Sequence, residues 1–233
     1  MIDPEEALSR IHNNINAKLS QQIITANPLM LLEALSDSAL SNAFDRATLV
    51  LPESAGLALL SRLQNFSIPK RIAGIDFMLK LCRDAEINFW PVYLLGGKPG
   101  VSERAALTLR EQFPQLRIAG YAHGHMSVFE ENKVTLEIAG HTPLLLFVGL
   151  GSPAQEKWIN LHIDGWDGLG ICAMGVGGSL DVLAKDIRRA PQWVQRWGWE
   201  WLYRAWQEPW RWKRTFKLPL FLIYALMYRT PKD

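Results

Sequence analysis

Six short apolar runs, each closed by small or polar residues, constrain this chain more than anything else in it. They lie at residues 23–27, 47–51, 91–95, 116–121, 144–148 and 170–174. Runs of this length that are apolar nearly throughout suit strands buried on both faces, the habit of parallel sheets covered by crossover helices. Helical patterns fill the gaps. One spans 28–44, introduced by Asn27 as N-cap and Pro28 at the first helical position. Another spans 77–86, reached through the unit 70–76, and a long amphipathic one runs from the turn at 96–100 to about Phe113. Residues 1–20 read as a polar helix or a pair of short segments. The expected architecture is α/β and Rossmann-like, a mainly parallel sheet with right-handed crossovers, in one core over residues 1–187.

In open α/β sheets ligands bind beyond the C-terminal ends of the strands. Thr25 and Asn27 close the first run, and Glu53 follows the second. Three later ends carry glycines: Gly96 and Gly97, Gly149 and Gly151, and Gly177 and Gly178. Glycine lets backbone N–H groups approach a phosphate, and a following helix N-terminus favours its charge. Any one of these turns could need glycine for its backbone alone; three on one edge favour a nucleotide. No strict G-x-G-x-x-G is present, which counts against nicotinamide or flavin chemistry. Glu53 is a candidate general base, although a lone Glu at such a place is by base rate a solvated cap. Gln155 and Glu156 open the helix after residues 149–153, where a polar first turn that complements the helix dipole is the competing reading. His123 and His125 lack a third metal ligand and read as a solvated loop, and Asp181 as an N-terminal helix carboxylate. Cys82 and Cys172 stand far apart in apolar contexts. No metal and no cofactor is expected, in a reduced, cytosolic setting.

The tail is a different kind of sequence. Seven of the ten tryptophans fall between residues 193 and 212, interleaved with arginines and lysines that look distributed all round a helix. Residues 188–233 carry ten Lys/Arg against three Asp/Glu, a net +7, which leaves −5 on residues 1–187. Indole rings at an acyl boundary and guanidinium groups at anionic headgroups suit an appendage, 188–233, that lies on a membrane. A packed Trp-rich subdomain with arginines stacked on the rings is the competing reading. A nucleic-acid platform fits less well, because the run 218–224 suits lipid better than bases. The longest apolar run, 218–228, has 11 residues including a proline, where a spanning helix needs about 20. The acidic, polar N-terminus does not read as a signal peptide.

Several stretches in order resemble the WecG/TagA/CpsF glycosyltransferases: 71–76 (RIAGID), 92–99 (VYLLGGKP), 149–156 (GLGSPAQE), 174–178 (MGVGG) with Asp181, 189–193 (RAPQW), 199–204 (WEWLYR) and 208–211 (EPWR). The resemblance implies an inverting transferase that moves an N-acetylmannosamine-type sugar from UDP to a polyprenyl-diphosphate-linked amino sugar. The setting it implies is the inner face of a bacterial membrane, in cell-surface polymer synthesis, without a divalent metal. It places Glu53 at the family's proposed base and Thr25 and Asn27 in the same pocket. It gives Gln155 and the backbone of 149–153 to the uridine and diphosphate, and sets Glu156, Arg71, Asp76, Gly177, Gly178, Asp181 and Arg189 among the binding residues. Arg204, Arg211 and Arg214 would close over the diphosphate. A homo-oligomer is an expectation from the family alone.

Four positions depart from the family pattern. Glu53 replaces Asp and Ser54 replaces Gly, which lengthens the base and would stiffen its turn. His123 stands where Asp is common before Gly, and Lys185 where Gly is common. Together they suggest a branch with an altered sugar or acceptor. A catalytically weakened, membrane-bound scaffold is the alternative that Glu53 and Ser54 keep open.

Overall fold

The computed structural model describes residues 3–57, 61, 71–197 and 199–208, with 212, 218, 221 and 223. Six strands, β1 (Gln21–Ala26), β2 (Leu49–Pro52), β3 (Val92–Gly96), β4 (Ile118–Ala122), β5 (Leu145–Gly149) and β6 (Cys172–Gly175), form one sheet in the order β2-β1-β6-β5-β3-β4. Every pairing is parallel, so the expected sheet is wholly rather than mainly parallel.

Alternate residues of the inner strands face two separate cores. Val92 and Leu94, Leu145 and Phe147, and Cys172 and Met174 face one; Tyr93 and Leu95, Leu146 and Val148, and Ala173 face the other. The first core is roofed by α1 (Pro4–Asn16), α4 (Gly74–Asn88), α5 (Val101–Gln112) and α8 (Ser179–Leu183). The second is roofed by α6 (Val128–His141) and α7 (Ala154–His162), with α2 (Pro28–Ala34) and α3 (Ser38–Arg46) packed beside α7 and over Ile24. Connections that step toward β4 carry helices of the first face; those that step toward β2 carry helices of the second. One crossover hand demands that division. β4, at the edge, is the least covered strand, with none of its residues buried.

Local signals account for the helix starts. The side chain of Asn27 accepts hydrogen bonds from the N–H groups of Leu29 and Met30, both at 3.1 Å, with Pro28 at the first position as expected. The single helix expected over 28–44 is instead two. Asp37 accepts from the Leu40 N–H at 3.0 Å and starts α3 afresh, the competing local bond that Asp offers the backbone. The unit 70–76 is not a strand where it is described: α4 starts at Gly74, which places Asp76 in its first turn. Helix α6, absent from the sequence expectations, carries a full capping box between Ser127 and Glu130. That S-x-x-E spacing was visible in the sequence.

Both cysteines are buried and free, and burial pushes both thiols up. Lys185 has φ +65°, a left-handed conformation that suits glycine, whereas Ser54 is not among the positive-φ residues. The glycine missing at 185 therefore leaves strain, and the one missing at 54 leaves none. Replacing Lys185 with Gly should stabilise the fold by about 1 kcal/mol, read as a higher urea midpoint with unchanged slope.

Candidate functional site

Strand order sets the site. Read along the C-terminal edge, β2, β1, β6, β5 and β3 deliver Glu53, Thr25 with Asn27, Gly175–Gly178, Gly149–Gly151 and Gly96–Gly97 in succession. The chain leaves β3 toward β4 and β5 toward β6, in opposite directions, which opens a crevice between their ends.

Glycine is required at that crevice. Gly96 lies opposite Gly149 with φ +140°, and a Cβ on it would sit 2.4 Å from the Gly149 carbonyl oxygen. That same oxygen accepts the Gly97 N–H at 3.1 Å. Gly149 in turn lies against the Gly177 carbonyl, 3.0 Å from a notional Cβ, whereas Gly151 and Gly177 have positive φ and open space around them. Gln155 is buried beneath these turns: its Oε1 accepts the Gly177 N–H at 2.9 Å, and its Nε2 donates to Glu156 Oε1 at 2.7 Å. Glu156 is 1% exposed, so it is no solvated first-turn carboxylate. Gly178 precedes α8, and Asp181 stands in its first turn.

At the other end of the edge, Glu53 continues β2. Its N–H donates to the Ala26 carbonyl at 3.0 Å, and the Ile72 N–H donates to the Pro52 carbonyl at 3.1 Å. The Glu53 side chain turns onto the first turn of α4, where Oε1 accepts the Gly74 N–H at 3.1 Å. A Cβ at Gly74 would meet that oxygen at 2.9 Å and Thr25 Oγ1 at 3.5 Å, so Thr25 and Glu53 converge on one helix start. Burial raises the Glu53 carboxyl above its ordinary value of 4.5. Arg204, the Gly74 N–H and Arg71 pull it back down, and Glu200 pushes it up. Glu53 is thus a half-buried carboxyl whose charged form burial disfavours and a helix start supports, not a fully solvated cap.

Two arginines tie the C-terminal segment to this corner. Arg71 Nη2 donates to the Gln195 carbonyl at 2.7 Å, and its Nη1 lies 3.7 Å from Glu200. Arg189 donates to Asp76 at 2.6 Å, and its Nε is buried without a partner. Gln207 brackets the backbone of Arg188 with two hydrogen bonds. These contacts seat α9 (Gln192–Trp197) and α10 (Glu200–Gln207) so that Arg204 acts on Glu53. Phe221 packs with Ala26 and Leu57, at the same end of β1. Arg211 and Arg214 lie outside the described residues.

The expectation of indoles and cations all round the helix falls in part on side chains outside the described ones, those of Arg196, Trp201 and Arg211 among them. Ala205 is fully buried and Glu208 nearly so, while Trp199, Leu202 and Trp206, spaced three and four apart, are exposed along one side of α10. Trp193 and Trp197 extend the exposed set from α9. Among the described side chains of this segment, Val194, Ala205 and Glu208 pack inward while the indoles of 193, 197, 199 and 206 face out.

A family model for the WecG/TagA/CpsF glycosyl transferases matches residues 1–233. The chain belongs to that family. It is similar to the N-acetylglucosaminyldiphosphoundecaprenol N-acetyl-beta-D-mannosaminyltransferase of Bacillus subtilis (strain 168), 32% identical over 212 residues, which cover 91% of this chain and 81% of the relative. The relatives of the same name from Bacillus spizizenii, 31% identical over 88% of this chain and 79% of theirs, and Staphylococcus aureus (strain MW2), 32% over 90% and 79%, agree. This WecG/TagA/CpsF member is accordingly an enzyme, a glycosyltransferase on a Rossmann-like sheet.

Reasoning from sequence missed Gly74, Gln195 and Glu200 as parts of this corner. Gly74 sits inside the Arg71–Asp76 motif, where its spacing from Arg71 was a usable signal; the other two are contacts only the fold creates. His123 is half-buried with Nδ1 unpaired, rather than solvated as expected, and His125 is exposed.

Glu53→Gln should raise the melting temperature at pH 8 and leave it unchanged at pH 4. A carboxyl whose native value is raised costs stability as pH climbs from its unfolded value through its native one, and an amide does not titrate. Melting curves at the two pH values check this.

Proposed function

We propose that this enzyme transfers an N-acetylmannosamine-type sugar, ManNAc or its uronate, from UDP to a polyprenyl-diphosphate-linked N-acetylglucosamine, with inversion at the anomeric carbon. The acceptor class follows the names of the relatives. The observation that carries the chemistry is Glu53: a half-buried carboxyl on the ligand edge, with Thr25 beside it and the charges of Arg71 and Arg204 acting on it.

In the proposed displacement the acceptor hydroxyl gives its proton to Glu53 as its oxygen bonds to the anomeric carbon from one face. The bond from that carbon to UDP breaks on the other face, and the electron pair goes to the diphosphate. Glu53 then returns the proton to water. A raised carboxyl is a better proton acceptor than an ordinary one, provided the pH lies above its native value. The diphosphate would lie over the turns at 96–97, 149–151 and 177–178, with the uridine toward Gln155. The Gly97 and Gly177 N–H groups are already committed to the Gly149 carbonyl and to Gln155, so other N–H groups of these turns would have to serve. Arg189 Nε, Arg204, Arg211 and Arg214 would supply positive charge as the leaving group forms. Thr25 and Asn27 would line the sugar pocket; Asn27 Oδ1 is committed to its cap, so only its amide nitrogen could serve there. We take the reaction to need no metal or other cofactor, the donor charge being met by arginine and backbone N–H groups.

The exposed Trp193, Trp197, Trp199 and Trp206 support a peripheral seat on an anionic bilayer, which for an undecaprenyl acceptor we take to be the inner face of the bacterial plasma membrane. Among the described residues no helix is long and apolar enough to cross a membrane. Nucleic acid is not a proposed partner, and a homo-oligomer stays a proposal by family alone.

UDP release should be detected with UDP-N-acetylmannosamine or its uronate, polyprenyl-diphosphate-GlcNAc and liposomes. Glu53→Gln should lower kcat by about 10²–10⁴-fold and abolish the acidic limb of the pH profile, whose midpoint in the parent lies above 4.5. Full activity in Glu53→Gln would move the base elsewhere; silence across a panel of UDP-sugars would sink the transferase chemistry as drawn. A triple change, Trp193→Ser, Trp197→Ser and Trp206→Ser, should weaken binding to phosphatidylglycerol vesicles by about tenfold or more in sedimentation, with the fold intact by circular dichroism.

A further inference from the structure

A second polar site lies at the opposite end of the sheet from Glu53. A cavity of about 340 Å³ opens where β1 and β2 begin and α7 ends. Gln22 of β1, Thr48 just before β2, Asn160 near the end of α7, and Asp164 and Asp167 beyond it line the cavity, with Arg46 at the end of α3. Ile163 is the one apolar residue in its lining. The volume falls in the lower range of small-molecule sites.

The lining has a definite polarity. Gln22 is 2% exposed, and its Oε1 is buried without a partner. Its amide cannot simply be turned round, because Nε2 donates to the Glu156 carbonyl at 2.9 Å. Asn160 Nδ2 donates to Asn42 Oδ1 at 2.9 Å, and its Oδ1 is buried and unpaired among the described residues. The partner is itself an amide, so the two can be turned together and this orientation is not fixed as that of Gln22 is. Ser20 is already used, since its hydroxyl donates to the Trp166 carbonyl at 2.6 Å and accepts the Ile171 N–H at 3.1 Å. The orphan whose orientation is fixed, Gln22 Oε1, is therefore an acceptor, and what it lacks is a donor. Charge points the same way. Arg46 is paired with Asp164, which leaves the carboxylate of Asp167 as the net charge of the lining. A neutral amide oxygen beside a single carboxylate is the acceptor set that N–H donors match.

We propose that this cavity binds a small primary-amine ligand, its ammonium beside Asp167 and an N–H donor on the amide oxygen of Gln22. The site is separate from the transfer chemistry and does not depend on it. Gln22 joins its floor to the catalytic edge by holding the backbone of Glu156 next to Gln155.

The test is calorimetric titration of the full chain with putrescine, against butanediol as the neutral isostere and magnesium chloride as a bare cation. Saturable one-to-one binding of putrescine is expected, weakened about tenfold by Asp167→Asn and by Gln22→Leu, with butanediol silent. Asp167 is exposed at the rim, so Asp167→Asn keeps the test decisive even if Gln22→Leu does not fold. No saturable binding, equal binding of butanediol, complete displacement by magnesium, or unchanged affinity in Asp167→Asn would each overturn the proposal.

Discussion

Pairing every strand in parallel is the constraint from which the rest of this structure follows. Parallel neighbours must be joined by crossovers, and those crossovers cover both faces of the sheet with helices. The faces are then apolar core, which removes them as places for a charged substrate. Polar chemistry is left to the two ends of the strands. At the C-terminal end the chain turns from strand to helix repeatedly, so backbone N–H groups and helix starts gather there. The glycines at 96, 149 and 177 let three such turns touch one another without side chains between them.

The C-terminal segment belongs to the same logic. A carboxyl sunk against the start of α4 is costly to ionise, and the cations that offset the cost come from two sources. Arg71 arrives just before α4, and Arg204 arrives with α10. Arg71 also grips the Gln195 carbonyl and approaches Glu200, so one guanidinium both faces the carboxyl and holds the element that carries its second counter-charge. Substitution at Arg71 therefore acts on Glu53 twice, directly and through the seating of α10.

Much of this was legible in the sequence, and the misses have physical causes. The six apolar runs gave all six strands within a few residues, because a doubly buried strand must be apolar at successive positions. Asn27-Pro28 fixed a helix start, since cap chemistry is local. The break at Asp37 was overlooked: the apolar pattern on either side is continuous, and only a side-chain bond to the Leu40 N–H divides it. Helix α6 was missed because its exposed Val128, Phe129 and Leu136 blur its amphipathic pattern, although its capping box was there to be read. Within the site, Glu53, Thr25 and the glycine turns were found from their places after strands. The burial of Glu156 was not, because a first-turn Glu is usually wet and only the packing of α7 against β6 and β1 dries it. The arginines of the tail were assigned by position, but which of them reaches Glu53 depends on tertiary seating that no spacing encodes.

The placement of sulfur has a consequence of its own. The sequence holds two cysteines, Cys82 and Cys172, and both lie in the first core with their thiols pushed toward the neutral form. Thiolate is the form that thiol-directed oxidants and electrophiles attack, so neither native cysteine is open to them. Neither thiol is thereby placed to respond to the redox state of the surroundings. A cysteine introduced beside the exposed indoles would be the single reactive sulfur on the molecule, and a dye attached there would report the polarity around the tail with no background from the core.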